Sequence, residues 1–436
     1  MVSRNKFQAH YADSIQQTLF DITDYEPVAS SRVKYQADVL LEQEQLFYKS
    51  SYPINISSKL GTPPTIFSFF SGTGFLDLGF EESGFTISYV NEYDPAFMEA
   101  YRYSRKFLNR EPPDYKYYQG SAIDLIHGQD RAHLTDIVKD ARKNNDIIGF
   151  IGGPPCPDFS VGGKNRGGEG KNGKLSVTYI ELVCQQKPDF FLFENVKGLW
   201  STRRHRAFYE ELKNKIHTDY VTTERLNNAI EFGVPQIRDR VILIGFRKAF
   251  LADLGIKIEK IRFFPWNKYI KYPASRTLFL PWPSQDRFEE DSILSFDYDV
   301  PIELTVEYWF KKNDVQNHPN GDRYFQPRAA LPRFQSVLEG DDSKKSFKRL
   351  HRWRYSPTAC YGNNEVHLHP YKARRISAAE AMAIQSLPKN FVLPPSMTLT
   401  DTFKTIGNGV PYLMAQALAK TILHFLEGNN SETYCI

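Results

Sequence analysis

Short apolar runs alternate with amphipathic stretches from Thr65 to about Gly245. In the amphipathic stretches apolar residues recur at helical spacing, most clearly in residues 132–143 and 175–186. The apolar runs have the length of buried strands, and they are residues 66–70, 86–90, 147–151, 190–193 and 241–246. Strands that alternate with helices in this way predict an α/β fold with a parallel, doubly wound sheet.

The alternation ends after about Arg247. Residues 250–370 are rich in Pro, Trp, Tyr and Arg, and residues 343–375 hold nine Lys or Arg and one Glu, with aromatic side chains between them. Such a basic and aromatic stretch is typical either of a solvated surface or of a nucleic-acid interface. Helical spacing returns in residues 377–386 and 412–426. We therefore expect a second, smaller and irregular region before the last helices.

Composition narrows the class of protein only a little. The 436 residues suggest more than one domain, and 41% hydrophobic with 24% charged residues is typical of a globular protein. A net charge of +4 permits a nucleic-acid partner without requiring one. No apolar run approaches the roughly 18 residues of a membrane span. A polar stretch without an apolar signal core follows Met1, so we expect an intracellular protein.

Four cysteines are spread along the chain without a Cys-x-x-Cys pair, at positions 156, 184, 360 and 435. This spacing indicates neither a zinc site nor a disulfide framework. His367 and His369 form a His-x-His pair without an evident third ligand, so we expect both to be structural and predict no metal site.

Cys156 stands apart from the other cysteines. It follows Gly152-Gly-Pro-Pro155 at the end of an apolar run. The glycines permit unusual backbone angles and the prolines stiffen the turn. The thiol is thereby placed at the carboxyl edge of a strand, where open α/β sheets bind their ligands. Cys156 is therefore a candidate nucleophile.

A glycine-rich turn follows the first apolar run. Gly72 and Gly74 permit a tight strand-to-helix turn in which the backbone approaches a ligand closely. Glu92 lies twenty residues after Gly72, at the end of the second run, where nucleoside-binding sheets place the acceptor for the ribose hydroxyls. This turn lacks the third glycine of Gly-x-Gly-x-x-Gly, because Asp77 stands there, and the sequence contains no phosphate-binding loop of the Gly-x-x-x-x-Gly-Lys-Ser/Thr type. An adenosine-type ligand without a long phosphate chain therefore fits better than a dinucleotide or ATP.

Two further motifs have charged residues at the ends of apolar runs. Glu194 follows four apolar residues, where a carboxylate is costly unless it is paired or protonated, although a purely structural acid is the alternative. Arg238 and Arg240 precede the last run at positions i and i+2. We expect the two guanidinium groups to point to the same side, where they could bind a phosphate or an acid.

Together, and in this order, these features resemble the DNA (cytosine-5)-methyltransferase family of the bacterial restriction–modification type. The six motifs are Phe70-Ser-Gly-Thr-Gly74, Asn91-Glu92, Pro154-Pro-Cys156, Glu194-Asn-Val196, Gln236-Ile-Arg-Asp-Arg240 and Gly407-Asn-Gly-Val-Pro411. The resemblance covers about residues 65–246 and 372–427. It implies a Rossmann-like, S-adenosylmethionine-dependent methyltransferase sheet, and as acceptor a cytosine flipped out of double-stranded DNA.

The resemblance also implies catalytic roles. Cys156 would be the nucleophile that adds to cytosine C6, and Glu194 the acid that holds N3 and the exocyclic amine. Arg238 and Arg240 would lie near the base and Glu194, where their charge keeps the thiolate and a phosphate in place.

The stretch after Cys156 is rich in glycine. Residues 160–173 contain six glycines and three Lys or Arg, so we expect no regular element there. In the family the corresponding loop closes over the flipped base. The candidate DNA contacts in it are Ser160, Lys164 and Arg166.

The resemblance also implies which residues bind the methyl donor. Phe70 and Tyr93 would lie beside the adenine of S-adenosylmethionine, and Glu92 would bind its ribose. The other implied donor contacts are Ser71, Gly72, Thr73, Gly74, Ser121, Pro155, Leu175, Asn408 and Val410. The last helix, residues 412–426, would return to pack beside the first strand.

Four residues depart from the family pattern. They are Pro157 in place of the usual Gln, Phe75 in place of a Gly, Ser121 in place of an acid that accepts from the adenine amino group, and Gly173 in place of an Arg. Asp124 is an alternative to Ser121 if the turn is one register longer. These departures concern the donor contacts rather than the reaction class.

We expect residues 63–255 and 403–436 to form a discontinuous catalytic domain and residues 256–402 a target-recognition domain. Residues 1–62 form an amino-terminal extension to which we assign no role. The implied protein is a monomeric, cytoplasmic, DNA-associated bacterial enzyme that methylates C5 of a cytosine in a specific duplex sequence. A cognate restriction endonuclease would act on the same site without forming a stable complex.

Two alternatives stay open. One is a transfer-RNA methyltransferase of the same family, although the Cys-Phe-Thr signature usual in that branch is missing from the sequence. The other is a catalytically silent DNA-binding protein on this fold, against which the intact Cys156 and Glu194 argue.

Overall fold

The computed structural model describes residues 62–144, 147–155, 171–327, 330–344, 346–359, 361 and 366–428, and in these residues seven strands form one sheet. The strands are β1 (Thr65–Phe69), β2 (Thr86–Glu92), β3 (Lys116–Gln119), β4 (Ile148–Gly152), β5 (Phe190–Val196), β6 (Tyr220–Asn228) and β7 (Asp239–Arg247). Their order is β3-β2-β1-β4-β5-β7-β6. The chain winds outward in both directions from the adjacent β1 and β4, which confirms the predicted doubly wound α/β fold.

One strand, β7, runs against the others. It pairs antiparallel with both β5 and β6, whereas the other neighbouring strands pair parallel. Residues 229–238, which include a 3₁₀ helix (Ala229–Phe232), are the whole connection between β6 and β7. A parallel pair needs a crossover of a dozen or more residues, so this connection makes a hairpin. The expectation of an entirely parallel sheet is therefore wrong at this edge.

The apolar pattern predicts neither β3 nor β6, which are the two edge strands. Of the four residues of β3, Tyr118 alone is buried. In β6 the middle residues, 221–226, are only half-buried, and they include Thr, Glu and Arg side chains. Edge strands are commonly polar because one of their sides is open to solvent. Hydrophobic runs therefore mark the centre of this sheet and miss its edges.

The α-helices in the described part of the chain are α1 (Phe75–Glu81), α2 (Pro95–Phe107), α3 (Asp124–His127), α4 (Arg131–Lys143), α5 (Lys171–Gln186), α6 (Lys197–Ser201), α7 (Arg203–Ile216), α8 (Lys248–Asp253), α9 (Ala274–Thr277), α10 (Val306–Lys312), α11 (Leu331–Ser336), α12 (Ala378–Ile384), α13 (Leu399–Asn408) and α14 (Tyr412–Leu426). The four predicted helices are α4, α5, α12 and α14. None of the helices in the described ranges is long and apolar enough to cross a membrane.

Two helices differ from expectation. Helix α5 begins at Lys171 and not at Leu175, so the last residues of the predicted glycine-rich loop are helical. The polar first turn carries no apolar signal, and spacing alone therefore places the start too late. Helix α13 is not predicted, although the Thr398 hydroxyl caps it by accepting the backbone N–H of Asp401 at 3.1 Å.

Apolar side chains pack on both faces of the sheet. On one face α14 lies against α1, the helix that follows β1. The contact is close because Gly79 has no side chain: a Cβ there would lie 2.5 Å from the Cβ of Ala415. Ile66 of β1 belongs to the same core. The end of the chain therefore returns to the amino-terminal half of the sheet.

The segment between α8 and α12 consists mainly of turns, short helices and isolated bridges. Its buried side chains, together with α12 and α13, share a core with α1 and α2, for example through Phe75 and Trp309. Side chains of this segment bond its own backbone. The guanidinium of the buried Arg349 donates to the carbonyl oxygens of Phe334, Val337, His369 and Lys372. The division into two domains stays a prediction.

Candidate active site

The chain leaves β1 in a tight turn that is tied to the end of β2. Phe70, Gly72 and Gly74 have φ values of 53°, 58° and 79°, in the left-handed region. The backbone N–H of Gly72 donates to Glu92 Oε2 at 2.8 Å, and that of Asp94 donates to Glu92 Oε1 at 2.8 Å. The Glu92 carboxylate therefore holds the glycine turn at the carboxyl edge of the sheet.

The surroundings of Glu92 suit a polar ligand. Burial raises the pKa of the Glu92 carboxyl, although the N–H groups of Asp94 and Gly72 act in the opposite direction. The neighbouring Tyr93 keeps 74% of its surface exposed. A buried acceptor and an exposed ring thus lie next to each other at the end of β2, where a ligand with hydroxyls and an aromatic base would find both.

The predicted contact Ser121 lies beside this edge. The N–H of Gly120 donates to the Glu92 carbonyl at 3.1 Å, and Asn91 Nδ2 donates to the Gly120 carbonyl at 2.8 Å. The half-buried Ser121 hydroxyl accepts the N–H of Ile123 at 3.2 Å, whereas Asp124 is exposed at the start of α3. Ser121 is therefore tied to the strand end, and the choice between Ser121 and Asp124 stays open.

The carboxy-terminal motif returns to the glycine turn. It begins at the end of α13, and the hydroxyl of Thr405 in that helix donates to the hydroxyl of Thr73 at 3.2 Å. Asn408 is exposed and Val410 is buried. The motif and the glycine turn, more than 300 residues apart, therefore form one wall.

Phe75, which departs from the family pattern, is accommodated by this motif. Its ring is buried and lies edge-on to Phe391. A Cβ on Gly409 would lie 2.2 Å from the Phe75 ring. A large side chain at position 75 is thus matched by the missing side chain at position 409.

The glycine turn also offers a polar group and space that a ligand could use. The Ser71 hydroxyl is buried and has no hydrogen-bond partner among the described residues, a state that a buried polar group rarely keeps. A Cβ on Gly72 would have Thr405 Oγ1, at 4.0 Å, as its nearest described neighbour. With Glu92 and Tyr93, these features fit a nucleoside-type methyl donor.

A second cluster lies at the ends of β4, which is the neighbour of β1, and of β5. Glu194 in β5 is 7% exposed, and its Oε1 pairs with Nε of Arg240 in β7 at 2.7 Å. A Cβ on Gly153, directly after β4, would lie 2.8 Å from Glu194 Oε2. The carboxylate therefore lies over the backbone three residues before Cys156. The ion pair explains how a carboxylate is tolerated at the end of an apolar strand.

Arg238 makes different contacts from Arg240. Its guanidinium is completely buried and donates to the carbonyl oxygens of Ala359, Gly407 and Gly409 at 3.0, 2.7 and 3.1 Å. The two arginines, two residues apart, thus bind separate parts of the molecule. The expectation that both guanidinium groups act together is not met by this geometry.

Several predicted site residues lie outside the described residues: Cys156, Ser160, Lys164 and Arg166. Two predicted donor contacts on either side of this stretch are described. Pro155, before it, is exposed, and Leu175, in α5 after it, is half-buried. Pro155 directly follows the chain segment that Glu194 contacts.

A buried polar cluster behind the glycine turn is not predicted from the sequence. Arg105 of α2 donates to the Gly74 carbonyl at 2.8 Å. Ser68 and Tyr101 donate their hydroxyls to Asp77 at 2.8 and 2.9 Å. Burial raises the pKa of Asp77 to about 6, against the lowering effect of Arg105. The one signal in the sequence is an acid inside the apolar stretch of α1.

The model of the C-5 cytosine-specific DNA methylase family matches residues 65–424. The chain belongs to this family, which confirms the resemblance of its motifs. It is a DNA (cytosine-5)-methyltransferase.

Individual relatives agree with this class. The chain is 53% identical over 369 residues to the type II methyltransferase M.NmeDI of Neisseria meningitidis serogroup C, a match that covers 84% of this chain and 85% of the relative. It is 29% identical to the type II methyltransferase M.NgoPII of Neisseria gonorrhoeae, over 86% of this chain and 99% of the relative. Among solved structures, a prophage-encoded E. coli protein named as a DNA modification methyltransferase has the same fold, with a TM-score of 0.58, 23% identity, and 84% and 99% coverage.

Proposed function

We propose that this enzyme transfers the methyl group of S-adenosylmethionine to C5 of a flipped-out cytosine, in a specific sequence of double-stranded DNA. The observation that carries the proposal is the position of the Glu194 carboxylate. It is paired with Arg240 and lies against Gly153, on the chain segment that leads to Cys156. This chemistry requires an acid and a thiol, and Glu194 is held beside the chain segment that leads to the cysteine.

The Cys156 thiolate adds to C6 of the cytosine while Glu194 hydrogen-bonds N3 and the exocyclic amine. The addition makes C5 nucleophilic, and C5 would take the methyl group as the sulfur–methyl bond of the donor breaks, with its electron pair left on the sulfur of S-adenosylhomocysteine. A base, which can be water, then removes the C5 proton, and the electrons of that bond expel the thiolate from C6. Arg240 keeps the carboxylate of Glu194 oriented through their ion pair.

S-adenosylmethionine supplies an electrophilic methyl group when it is bound. The residues proposed to hold it are those of the glycine turn, with Glu92 for the ribose hydroxyls and Tyr93 for the adenine. The buried Ser71 hydroxyl, which lacks a described partner, supports a polar ligand here. Asn408 and Val410 would complete the pocket from the carboxy-terminal motif.

We further propose that the enzyme is the modification half of a restriction–modification system. The support is its likeness to relatives named type II methyltransferases. In this role it acts as a monomer on cytoplasmic DNA, and a separate endonuclease recognises the same site. Ser160, Lys164 and Arg166 would contact the DNA, and residues 256–402 would read its sequence.

A methyl-transfer assay that compares duplex DNA with transfer RNA tests the substrate. We expect transfer to DNA alone, and bisulfite sequencing of DNA from expressing cells identifies the methylated cytosine. The variant Cys156→Ser should lose turnover and keep donor binding, because the thiol does not hold the donor. A duplex with 5-fluorocytosine at the target should trap a covalent adduct, because elimination needs a removable proton at C5.

The outcomes separate the alternatives. Methylation of transfer RNA instead of DNA would overturn the substrate, and donor binding without methylation of any duplex would point to a silent DNA-binding protein. Full activity of Cys156→Ser would refute the covalent mechanism.

A further inference from the structure

The contacts of Arg238 cannot be predicted from its place in the sequence. Its side chain is completely buried, and it binds carbonyl oxygens from two distant segments. One is Ala359, and the other contains Gly407 and Gly409. A guanidinium presents its N–H donors on separate nitrogens, so Nη1 binds one segment and Nη2 the other, whereas a lysine ammonium has its three donors on a single nitrogen that cannot occupy both positions.

The two glycine carbonyls flank Asn408. A side chain on Gly407 would lie 3.1 Å from the backbone nitrogen of Tyr361, and one on Gly409 would overlap Phe75. The turn is therefore packed tightly on both sides, and Arg238 binds it from a third direction. Its position decides where Asn408 and Val410 stand relative to the glycine turn after β1.

Neighbouring contacts hold the same junction. Gln385 donates its amide to the carbonyl of Ile406 at 2.6 Å, directly before the turn. Gln236 donates to the side-chain oxygen of Gln385 at 3.3 Å and accepts the N–H of Ala359 at 3.1 Å. The motif that precedes β7 thus builds a polar junction with the carboxy-terminal motif.

Arg240 provides the contrast within the same motif. It lies in β7 and pairs with Glu194, on the side where the acceptor base is proposed to bind. Arg238 instead reaches the turn that borders the proposed donor pocket. One short sequence therefore supports both pockets, with one arginine for each.

We propose that Arg238 is a positioning residue for the methyl donor: it holds the turn of residues 407–410 against the donor pocket. This replaces the direct part in catalysis that the motif predicts, and it rests on the proposed donor site. Loss of the guanidinium would then weaken donor binding before DNA is present.

The test compares Arg238→Lys with Arg349→Lys. Arg349 is an equally buried arginine that also binds backbone carbonyls, but in the segment between α8 and α12. Both variants should lower the melting temperature. Arg238→Lys should raise the Kd for S-adenosylmethionine, measured calorimetrically without DNA, by about ten-fold or more, because lysine cannot replace two charge-assisted contacts. Arg349→Lys should leave this Kd unchanged. In turnover, Arg238→Lys should raise KM for the donor much more than it lowers kcat.

Hydrogen exchange of the ligand-free protein gives a second measurement. The amides of residues 407–410 should exchange faster in Arg238→Lys than in the wild type or in Arg349→Lys. Unchanged exchange and unchanged donor affinity, with lost turnover, would overturn the proposal in favour of direct catalysis. If the wild type bound no S-adenosylmethionine, the proposed donor would be wrong, and the exchange rates would still decide the positioning role. If Arg238→Lys did not fold, Arg238→Gln, which keeps a planar amide donor, would be judged by the same criteria.

Discussion

The sheet and the segment between α8 and α12 satisfy their backbone groups in different ways. In the sheet, neighbouring strands pair with each other in register, for example β5 with β7 along seven residue pairs. In the irregular segment, side chains also form hydrogen bonds with backbone groups. Asn320 of this segment donates to the carbonyl of Leu393, which lies between α12 and α13, at 2.9 Å and accepts the Leu393 N–H at 2.9 Å, as a paired strand would. Arg349 binds four carbonyl oxygens, one in α11 and three in irregular backbone.

This difference has an energetic consequence. Backbone pairing in the sheet is spread over many residues, and a single side chain contributes little to it. The irregular segment has only scattered backbone bonds, such as the pair between Asp286 and Glu339, and polar side chains bind further carbonyls, because a buried carbonyl without a donor is costly. We therefore expect stability to be concentrated in individual residues there and distributed in the sheet.

The largest expected effect is that of Arg349→Met. Removal of the guanidinium leaves several buried carbonyls without donors, and we expect a loss of about 3–5 kcal/mol in the free energy of unfolding. The corresponding change at the sheet is Tyr179→Phe in α5, which removes the hydroxyl that donates to the carbonyl of Leu192 in β5 at 2.8 Å. For this variant we expect a loss of about 1 kcal/mol. Urea denaturation measures both losses.

Equal losses in the two variants would contradict the comparison. The irregular segment would then owe its stability to the shared apolar core rather than to polar side chains.

In the sheet region, the buried cluster around Asp77 is an exception, because here a single side chain is expected to affect stability strongly. The dependence of stability on pH tests this expectation. Burial raises the pKa of Asp77 from 3.8 to about 6, so the folded protein binds a proton more tightly than the unfolded chain. The contribution of Asp77 to the free energy of unfolding is therefore complete below the unfolded-state pKa of 3.8, and it is lost as the pH rises through the folded-state pKa of about 6. At about 1.4 kcal/mol per pH unit the loss reaches about 3 kcal/mol.

The variant Asp77→Asn does not titrate and should lack this dependence on pH. Denaturation of both proteins at a series of pH values between 4 and 7, in steps of about half a unit, measures the difference. If both proteins showed the same slope, Asp77 would be ionised throughout this range in the folded protein.

The smallest effect concerns the contact between Phe75 of α1 and Gly409 of the carboxy-terminal motif. In Gly409→Ala the new methyl group overlaps the Phe75 ring, and we expect a loss of about 1–3 kcal/mol together with weaker donor binding. The second change Phe75→Gly should recover part of the donor affinity in the double variant, although it opens a cavity. A double-mutant cycle on the Kd for S-adenosylmethionine measures the coupling. Additive effects would mean that the two positions are independent.

The central part of the fold follows from the sequence for a physical reason. Strands β1, β4 and β5 are buried on both faces, so they are mainly apolar, and their apolar runs identify them. Glu92 and Glu194 end two such runs, and the carboxyl ends of parallel strands meet at one edge of the sheet. Local pattern therefore suffices to bring both acids to that edge.

The motifs and their order determined the family of this chain, and with it the reaction class and the candidate residues. Only the tertiary structure decided which partner each charged side chain has. Arg238 and Arg240 look equivalent in the sequence, yet one binds the carboxy-terminal turn and the other Glu194. The reason is that a buried charge takes whatever donor or acceptor the packing places beside it, and those groups come from segments far away along the chain.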